Sequence, residues 1–393
     1  MCRYVYDCGS EQRRALGRCV RSYCEGLDGR PIDVLFVSHL DSDHVSGLDD
    51  LLARTQAKVV VLPYLEPFEL LMIIARATAE ESVTGTMVGL VGDCAGWFSA
   101  RGVETIIFVQ SGEEEGGGEE GGEAVFPEGP NAPDAARVLG LDLEVLRRVG
   151  RPLGTKKGSD TELLVLPQSI PLQLRTESGF VDWMFLPFVH PEKQRVASFK
   201  KVVRQLIGSA ARQLSPKKDP PSLSTAGLLA ILQDRKLRRE LAKAYLLVQG
   251  DRNLTSMALY SGPTTKPSGV ATETRMSWGE RSYRHSGWGG WLGTGDANLA
   301  DPNRRAAFLA HYLHLMPLID TLTAPHHGSR HSFDEELLTA LQPRALTFSA
   351  GKRSRHGHPH REVTTAARLN EVPILVTTEQ PESELFESVS YER

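Results

Sequence analysis

The chain has 393 residues, of which 40% are hydrophobic and 24% charged, a balance that fits a folded protein with a sizeable core and excludes a disordered or fibrous one. Its formal net charge of −4 is not that of an overall basic nucleic-acid binder, although an average hides local basic faces. No apolar run approaches the ~18 residues of a membrane-spanning helix, MCRYVYDCGS lacks a signal-peptide layout, and five cysteines without a C-x-x-C pair read as reduced thiols of a cytoplasmic protein with no membrane contact.

In chain order, RYVYD (3–7) and DVLFVSH (33–39) read as strands, the second apolar enough to be buried on both faces. Between them EQRRALGRCVRSYCEG has helical spacing, with Leu16, Val20 and Tyr23 on one side. VSGLDDLLART is a short helix and AKVVVLP (57–63) the next buried strand, so the start alternates as an α/β protein does. At 111–123 the composition changes to SGEEEGGGEEGGE, acidic and glycine-rich with nothing to bury, a solvated linker.

TELLVLP and GFVDWMFLPFVHP (179–191) read as strands, with Trp183 and Phe185 alternating as core residues do. Residues 191–245 are helical in pattern and rich in Lys and Arg, interrupted by prolines at 214–222. From 253 the alternation returns: NLTSMALYS, WLGTGDA, DTLTAPHHGS, RALTFSAG and PILVTTE as strands, with helices at RRAAFLAHYLHLM, FDEELLTALQP and HREVTTAARLN. His311 and His314 sit at helical spacing beside Phe308 and Leu315 and read as packing residues. The expected organisation is one α/β domain in two halves, 1–110 and 250–393, split by an insertion over 111–249.

The chemistry concentrates in SHLDSDHVSG (38–47), which places His39, Asp41, Asp43 and His44 directly after a buried strand. Open α/β sheets place ligands at strand C-terminal ends, and imidazole with carboxylate suits Zn²⁺ or Mn²⁺. Asp41, Ser42 or Asp43 capping the next helix is the plainer alternative, but it does not account for two histidines. WLGTGDANL ends a later strand with Asp296, and LTAPHHGSRHS ends the next with His326 and His327. Three strand ends of one sheet, each delivering His or Asp, would converge on a pair of divalent ions.

These motifs, in this order, resemble the metallo-β-lactamase fold superfamily, and most closely the soluble hydrolase domain attached to ComEC-type DNA-uptake channels. YDCGS is similar to its D-x-G strand end, SHLDSDHVSGL to its H-x-D-x-D-H-x-x-G-L motif, and NLTSMAL to its Asn-x-x-Ser strand. TGDA is similar to its bridging-aspartate motif, PHHGSRHS to its His-His-Gly-Ser loop, FSAGKRSRHGHPHREV to its Gly-His-Pro-His segment, and VTTE to its last strand.

The resemblance implies an αββα sandwich with a mixed helical insertion, its N-terminal strands short or missing and its sheet edge covered by the insertion or by a protein partner. It implies that His39 and Asp41 bind one ion, Asp43 and His44 the other, and that Asp296 bridges. One of His326 and His327 completes the second site, and the other touches substrate. His358, flanked by His356 and His360, is implied as a phosphate contact or proton donor. Asp41 stands where most of the superfamily has histidine, which makes that site harder and friendlier to Mn²⁺. The third histidine of the first site has no clear counterpart; Asn253 and His190 lie in the right region.

Two such ions would generate a nucleophile from water near neutral pH and screen a phosphodiester, with Asp43, His327 or His358 to protonate the leaving oxygen. The resemblance implies DNA as substrate. Lys200, Lys201, Arg204, Arg212, Arg235, Lys236, Arg238, Arg239 and Lys243 offer phosphate contacts or a solvated face paired with Asp234 and Glu240. Trp288 and Trp291 either clamp a nucleotide or pack on the sheet. The expected function is a metal-dependent nuclease; the alternatives are a small-molecule hydrolase of the same fold (cyclic nucleotide, phosphodiester or lactone) and an interaction protein with little turnover.

Overall fold

The computed structural model describes residues 2–112, 138–176, 179–190, 198–199, 201, 234–248, 256–265, 272–278, 281–285, 287–352 and 354–391. Most of the acidic linker, the prolines at 214–222, Lys200, Arg204, Arg212 and Asn253 lie outside the described residues.

The first half supplies β1 (Tyr4–Tyr6), α1 (Arg13–Gly26), β2 (Ile32–Phe36), α2 (Ser42–Val45), α3 (Leu48–Arg54), β3 (Ala57–Pro63), α4 (Pro67–Ala79), α5 (Gly85–Ser99) and β4 (Thr105–Gln110). Next come β5 (Val138–Leu141), α6 (Leu143–Val149), β6 (Arg151–Thr155), β7 (Glu162–Pro167), β8 (Leu172–Thr176), β9 (Gly179–Val189) and α7 (Arg235–Val248). The second half adds β10 (Met257–Gly262), β11 (Thr272–Trp278), β12 (Arg281–His285), β13 (Gly290–Gly293), α8 (Pro302–His311), β14 (Ile319–Thr323), α9 (Glu336–Leu341), β15 (Ala345–Ser349), α10 (Arg361–Leu369), β16 (Ile374–Thr377) and β17 (Leu385–Tyr391).

Among the described residues these strands form two large sheets, ordered β1-β2-β3-β4-β7-β6 and β16-β15-β14-β13-β10-β9-β8-β5, and a small one, β12-β11-β17. The first is parallel from β1 to β7, and the second is parallel from β13 to β16 and antiparallel beyond. Alternation along the strands builds the layers. Val59 and Val61 of β3 face Leu259 and Phe185 between the sheets, while Val60 and Leu62 face the helices on the outer side. In β9 and β10, Met184, Leu186, Ala258 and Tyr260 point the other way, against Phe308, Leu337 and Val363 of α8, α9 and α10. The result is helices, sheet, sheet, helices, as expected for an αββα sandwich.

The strands between 138 and 189 correct the expected insertion. β6 and β7 extend the first sheet, and β5, β8 and β9 extend the second, because Leu164, Leu166, Leu172 and Phe185 are needed to fill the space between the sheets. Helix α7 packs on α4 through the buried Leu241 and Ala242, leaving Arg235, Lys236, Arg239 and Lys243 exposed.

Candidate metal centre

At the C-terminal end of β1, Asp7 adopts a left-handed backbone, φ 62°. Its carboxylate accepts the Ser38 N–H at 2.7 Å, the Ser38 hydroxyl at 2.6 Å and the His44 Nδ1–H at 2.8 Å. Two residues on, a Cβ at Gly9 would lie 2.4 Å from the His44 carbonyl carbon. The D-x-G motif thus has a physical content: the aspartate grips the loop after β2, and the glycine lets that loop's backbone pass.

Ser38, committed as donor to Asp7, sits 2.8 Å from His39 Nδ1 and accepts from it. Both imidazoles are therefore held through Nδ1, and both present Nε2 inward. Those two nitrogens are buried without a hydrogen-bond partner, although carboxylate oxygens lie 3.2 Å from each. Nitrogens and oxygens that crowd together without bonding one another aim at a shared point, as ligands of a cation do. Asp41 precedes α2 in the N-cap position but makes no capping hydrogen bond, so its carboxylate is committed to the cluster.

The second sheet supplies the rest. The backbone turns at Gly295, φ +51°, where a Cβ would lie 2.2 Å from the Ser256 hydroxyl, and that hydroxyl accepts the Asp296 N–H at 2.9 Å. His326 and His327 follow β14 at φ 48° and 57°. His327 donates Nδ1–H to the Ser349 carbonyl at 2.8 Å, which turns Nε2 toward Asp43 at 3.3 Å.

The contributing strands belong to two sheets, a correction of the single-sheet expectation. β2 comes from the first sheet and β13 and β14 from the second, joined by the Met257 N–H to Ser38 carbonyl bond at 2.8 Å and the Tyr6 hydroxyl to Met257 carbonyl bond at 2.6 Å.

The predicted ligands gather into two groups sharing Asp296. In one, Asp43, His44, Asp296 and His327 bring their ligand atoms within 4.8 Å of one another; in the other, His39, Asp41 and Asp296 do. Asp296 turns one oxygen to each: Oδ1 lies 3.2 Å from His44 Nε2 and 3.6 Å from His327 Nε2, and Oδ2 lies 3.6 Å from His39 Nε2 and 3.7 Å from His326 Nε2. The His39 group is the deeper, with side-chain exposures of 5% for His39 and 9% for Asp41 against 24% for His327 and 36% for Asp43.

Electrostatics agree. Burial opposes charge on His44, but the carboxylates of Asp296, Asp43 and Asp7 outweigh it and hold its pKa well above the ordinary value. Asp296 is held well below the usual carboxylate range, against its burial, by His44, His326 and His327. The cluster is a sink for positive charge with the nitrogen and oxygen donors that divalent ions take.

Residues 2–138 match the model described as the metallo-beta-lactamase superfamily. The fold is that of the metallo-β-lactamase superfamily. A stretch of 58 residues is 40% identical to ComE operon protein 3 of Bacillus subtilis (strain 168), covering 15% of this chain and 8% of that protein. The chain therefore matches less than a tenth of that relative's length. The metallo-β-lactamase fold carries metal-dependent hydrolases, and the described residues include His and Asp groups able to hold divalent ions. No helix of the described residues is long and apolar enough to cross a membrane.

Other expected residues divide. His358 stands beside the centre, its ring 5.3 Å from His326 and 6.1 Å from His327, and burial with the surrounding histidines pushes its pKa down to about 3. It meets neutral pH uncharged, able to donate an N–H but carrying no extra proton. Trp291 packs edge-on to Tyr6 at 5.3 Å and donates to the Thr323 hydroxyl at 3.0 Å, and Trp288 packs on the outer core. Both pack, the second of their two expected roles. His311 donates to the Pro187 carbonyl at 3.1 Å and stacks near Phe188. His190 follows β9 beside Phe188 and joins neither ligand group.

Two participants were not read from the sequence. Asp7 stands in the D-x-G motif with no role evident from its neighbours, yet it orients His44. Arg76 of α4 places its guanidinium on the Asp41 carboxylate, with side-chain exposures of 12% and 9%. Nothing in the local pattern of ELLMIIARATA marks that arginine, because the contact spans two elements.

Proposed function

We propose that the chain is a metal-dependent phosphodiesterase, most plainly a DNA nuclease, using two divalent ions (Zn²⁺ or Mn²⁺) at the paired groups. The observation that carries this reading is Asp296, whose two oxygens face two separate sets of ligands. His39, Asp41 and Asp296 would hold one ion and Asp43, His44, His327 and Asp296 the other. Divalent ions bound there supply a nucleophile from water at neutral pH and screen an anionic ester.

The chain's own side chains prepare the rest. Asp7 and Ser38 fix the two imidazoles before substrate arrives. Half-buried Asp43 and His327 line the more open side, where the substrate phosphate enters. His358, outside both groups, donates an N–H to a phosphoryl oxygen, and the leaving oxygen takes its proton from solvent, because Asp43 and His327 are occupied as ligands. A polymer substrate is supported by the exposed basic face of α7, which packs on α4 and offers sequence-independent phosphate contacts, and by the partial likeness to ComE operon protein 3.

The test is incubation with labelled single- and double-stranded DNA and RNA in Mn²⁺, Zn²⁺, Mg²⁺ or EDTA, beside an Asp43→Ala, Asp296→Ala double variant. DNA cleavage that needs metal and disappears in the variant is expected. Intact polymers with cleavage of a small phosphodiester would turn the reading to a small-molecule hydrolase, and intact substrates throughout would overturn it.

A further inference from the structure

We infer that Arg76 is a built-in cation of the deeper ligand group, competing with a divalent ion for Asp41 and so making the two positions load unequally. The inference rests on the metal reading of the site and concerns how that site is regulated. Its ground is a juxtaposition: the Arg76 guanidinium sits on Asp41 Oδ2, the same oxygen that lies 3.2 Å from His39 Nε2. A permanent positive charge therefore stands against the His39 group.

The ligand count points the same way. Among the described residues the group around His44 offers four side chains and the group around His39 three, one short of a tetrahedral set at the deeper position. Burial sharpens the competition, since charges screened little by water repel strongly at short range. The arginine also has somewhere to go: its Nε lies 3.7 Å from Glu80 Oε2 one helical turn on, a carboxylate 39% exposed. Withdrawal from Asp41 toward Glu80 would open the deeper position without leaving the guanidinium unpaired.

The helix that carries Arg76 is held for the purpose. The capping box of Glu66 and Glu69, with Pro67 in the first turn, fixes where α4 begins, and Leu71, Ile74 and Ala75 bury its inner face. The backbone at Arg76 is thereby fixed, and its charge moves only by a side-chain swing between Asp41 and Glu80.

The experiment is a Mn²⁺ titration of chelator-stripped protein by calorimetry, with bound ions per chain counted by elemental analysis. It compares the unaltered chain with Arg76→Met, Arg76→Lys and Asp41→Asn, each checked for folding by circular dichroism. Two events differing at least tenfold in affinity are expected in the unaltered chain, with the weaker lost in Asp41→Asn. In Arg76→Met the weaker event tightens at least tenfold, and in Arg76→Lys, which keeps the charge, it stays weak. A weaker event unchanged or loosened in Arg76→Met, with the tight event intact, would overturn the role of Arg76 and leave the metal reading standing. No binding by any of the proteins would remove the metal reading and this inference together.

Discussion

Asp7 is the residue whose importance is least visible from its neighbours and clearest from its contacts. One carboxylate holds the Ser38 backbone, the Ser38 hydroxyl and His44, and through Ser38 it also sets His39. Partners of this kind orient metal-binding imidazoles and typically matter about 10–100-fold in affinity. Asp7→Asn, which keeps the shape and removes the charge, is therefore expected to weaken Mn²⁺ binding by about 10–100-fold with little change in the melting curve. Equal affinity in the variant, read by the same calorimetry, would mean that the loop after β2 holds His44 unaided. The candidate ligands were legible as residue types in a motif, because His-x-Asp-x-Asp-His has little other use after a buried strand. Their allocation was not: His327 rather than His326 joins Asp43 and His44, since the backbone at 326–327 and the Ser349 carbonyl decide which ring turns inward.

Among the elements, the buried strands were the most readable. AKVVVLP is β3 from its first residue to its last, because an apolar run between polar turns has few places to go except a sheet covered on both faces. Helix α8 shows how a start signal works locally: Asp301 accepts the Asn303 and Arg304 N–H groups at 2.9 and 3.1 Å, and Pro302 follows it. Asp301→Ala is expected to cost about 1 kcal/mol in urea unfolding, the usual worth of such a cap, and no measurable loss would mean that α8 is held by Phe308 and its core contacts alone. The β11 and β12 hairpin and β17 carried no comparable signal, being short of the long apolar runs that mark a central strand. Basic α7 is the helix its sequence pattern predicts, but its packing on α4, the helix that carries Arg76, shows only in the fold.

For the whole molecule the decisive fact is that two sheets, not one, end at the same place. Val59, Val61, Phe185 and Leu259 glue them face to face, and the metal-ligand candidates are divided between them. The small third sheet is seated on the second through Met276, Ala345, Leu375 and Leu385, and here β17 inserts Glu387. One of its oxygens accepts the Thr321 hydroxyl at 3.0 Å, and the other is buried without a partner. Burial, with nearby Asp320 adding to it, pushes the Glu387 carboxyl up from 4.5 to about 7. A raised folded-state pKa means the folded protein binds the proton more tightly than the unfolded chain. The stabilisation is complete below about 4.5 and is lost as pH rises toward about 7. Glu387→Gln is expected to flatten that part of the pH–stability curve, measured by urea midpoints from pH 4.5 to pH 7.5; an unchanged slope would show that another group carries it.

What the sequence determined by itself was the kind of chemistry and the kind of layers. Hydrophobic alternation writes sheet and helix locally, and a motif of histidines and aspartates after a strand writes a ligand set, because both depend on residues close together in the chain. What only the tertiary structure decided was who meets whom. The pairing of β2 with strand ends more than 200 residues away, the recruitment of 138–189 into both sheets, and the placing of Arg76 on Asp41 all arise from long-range packing. A contact between two distant side chains leaves no periodicity in the sequence of either segment, so it becomes visible only when the two sheets close on each other.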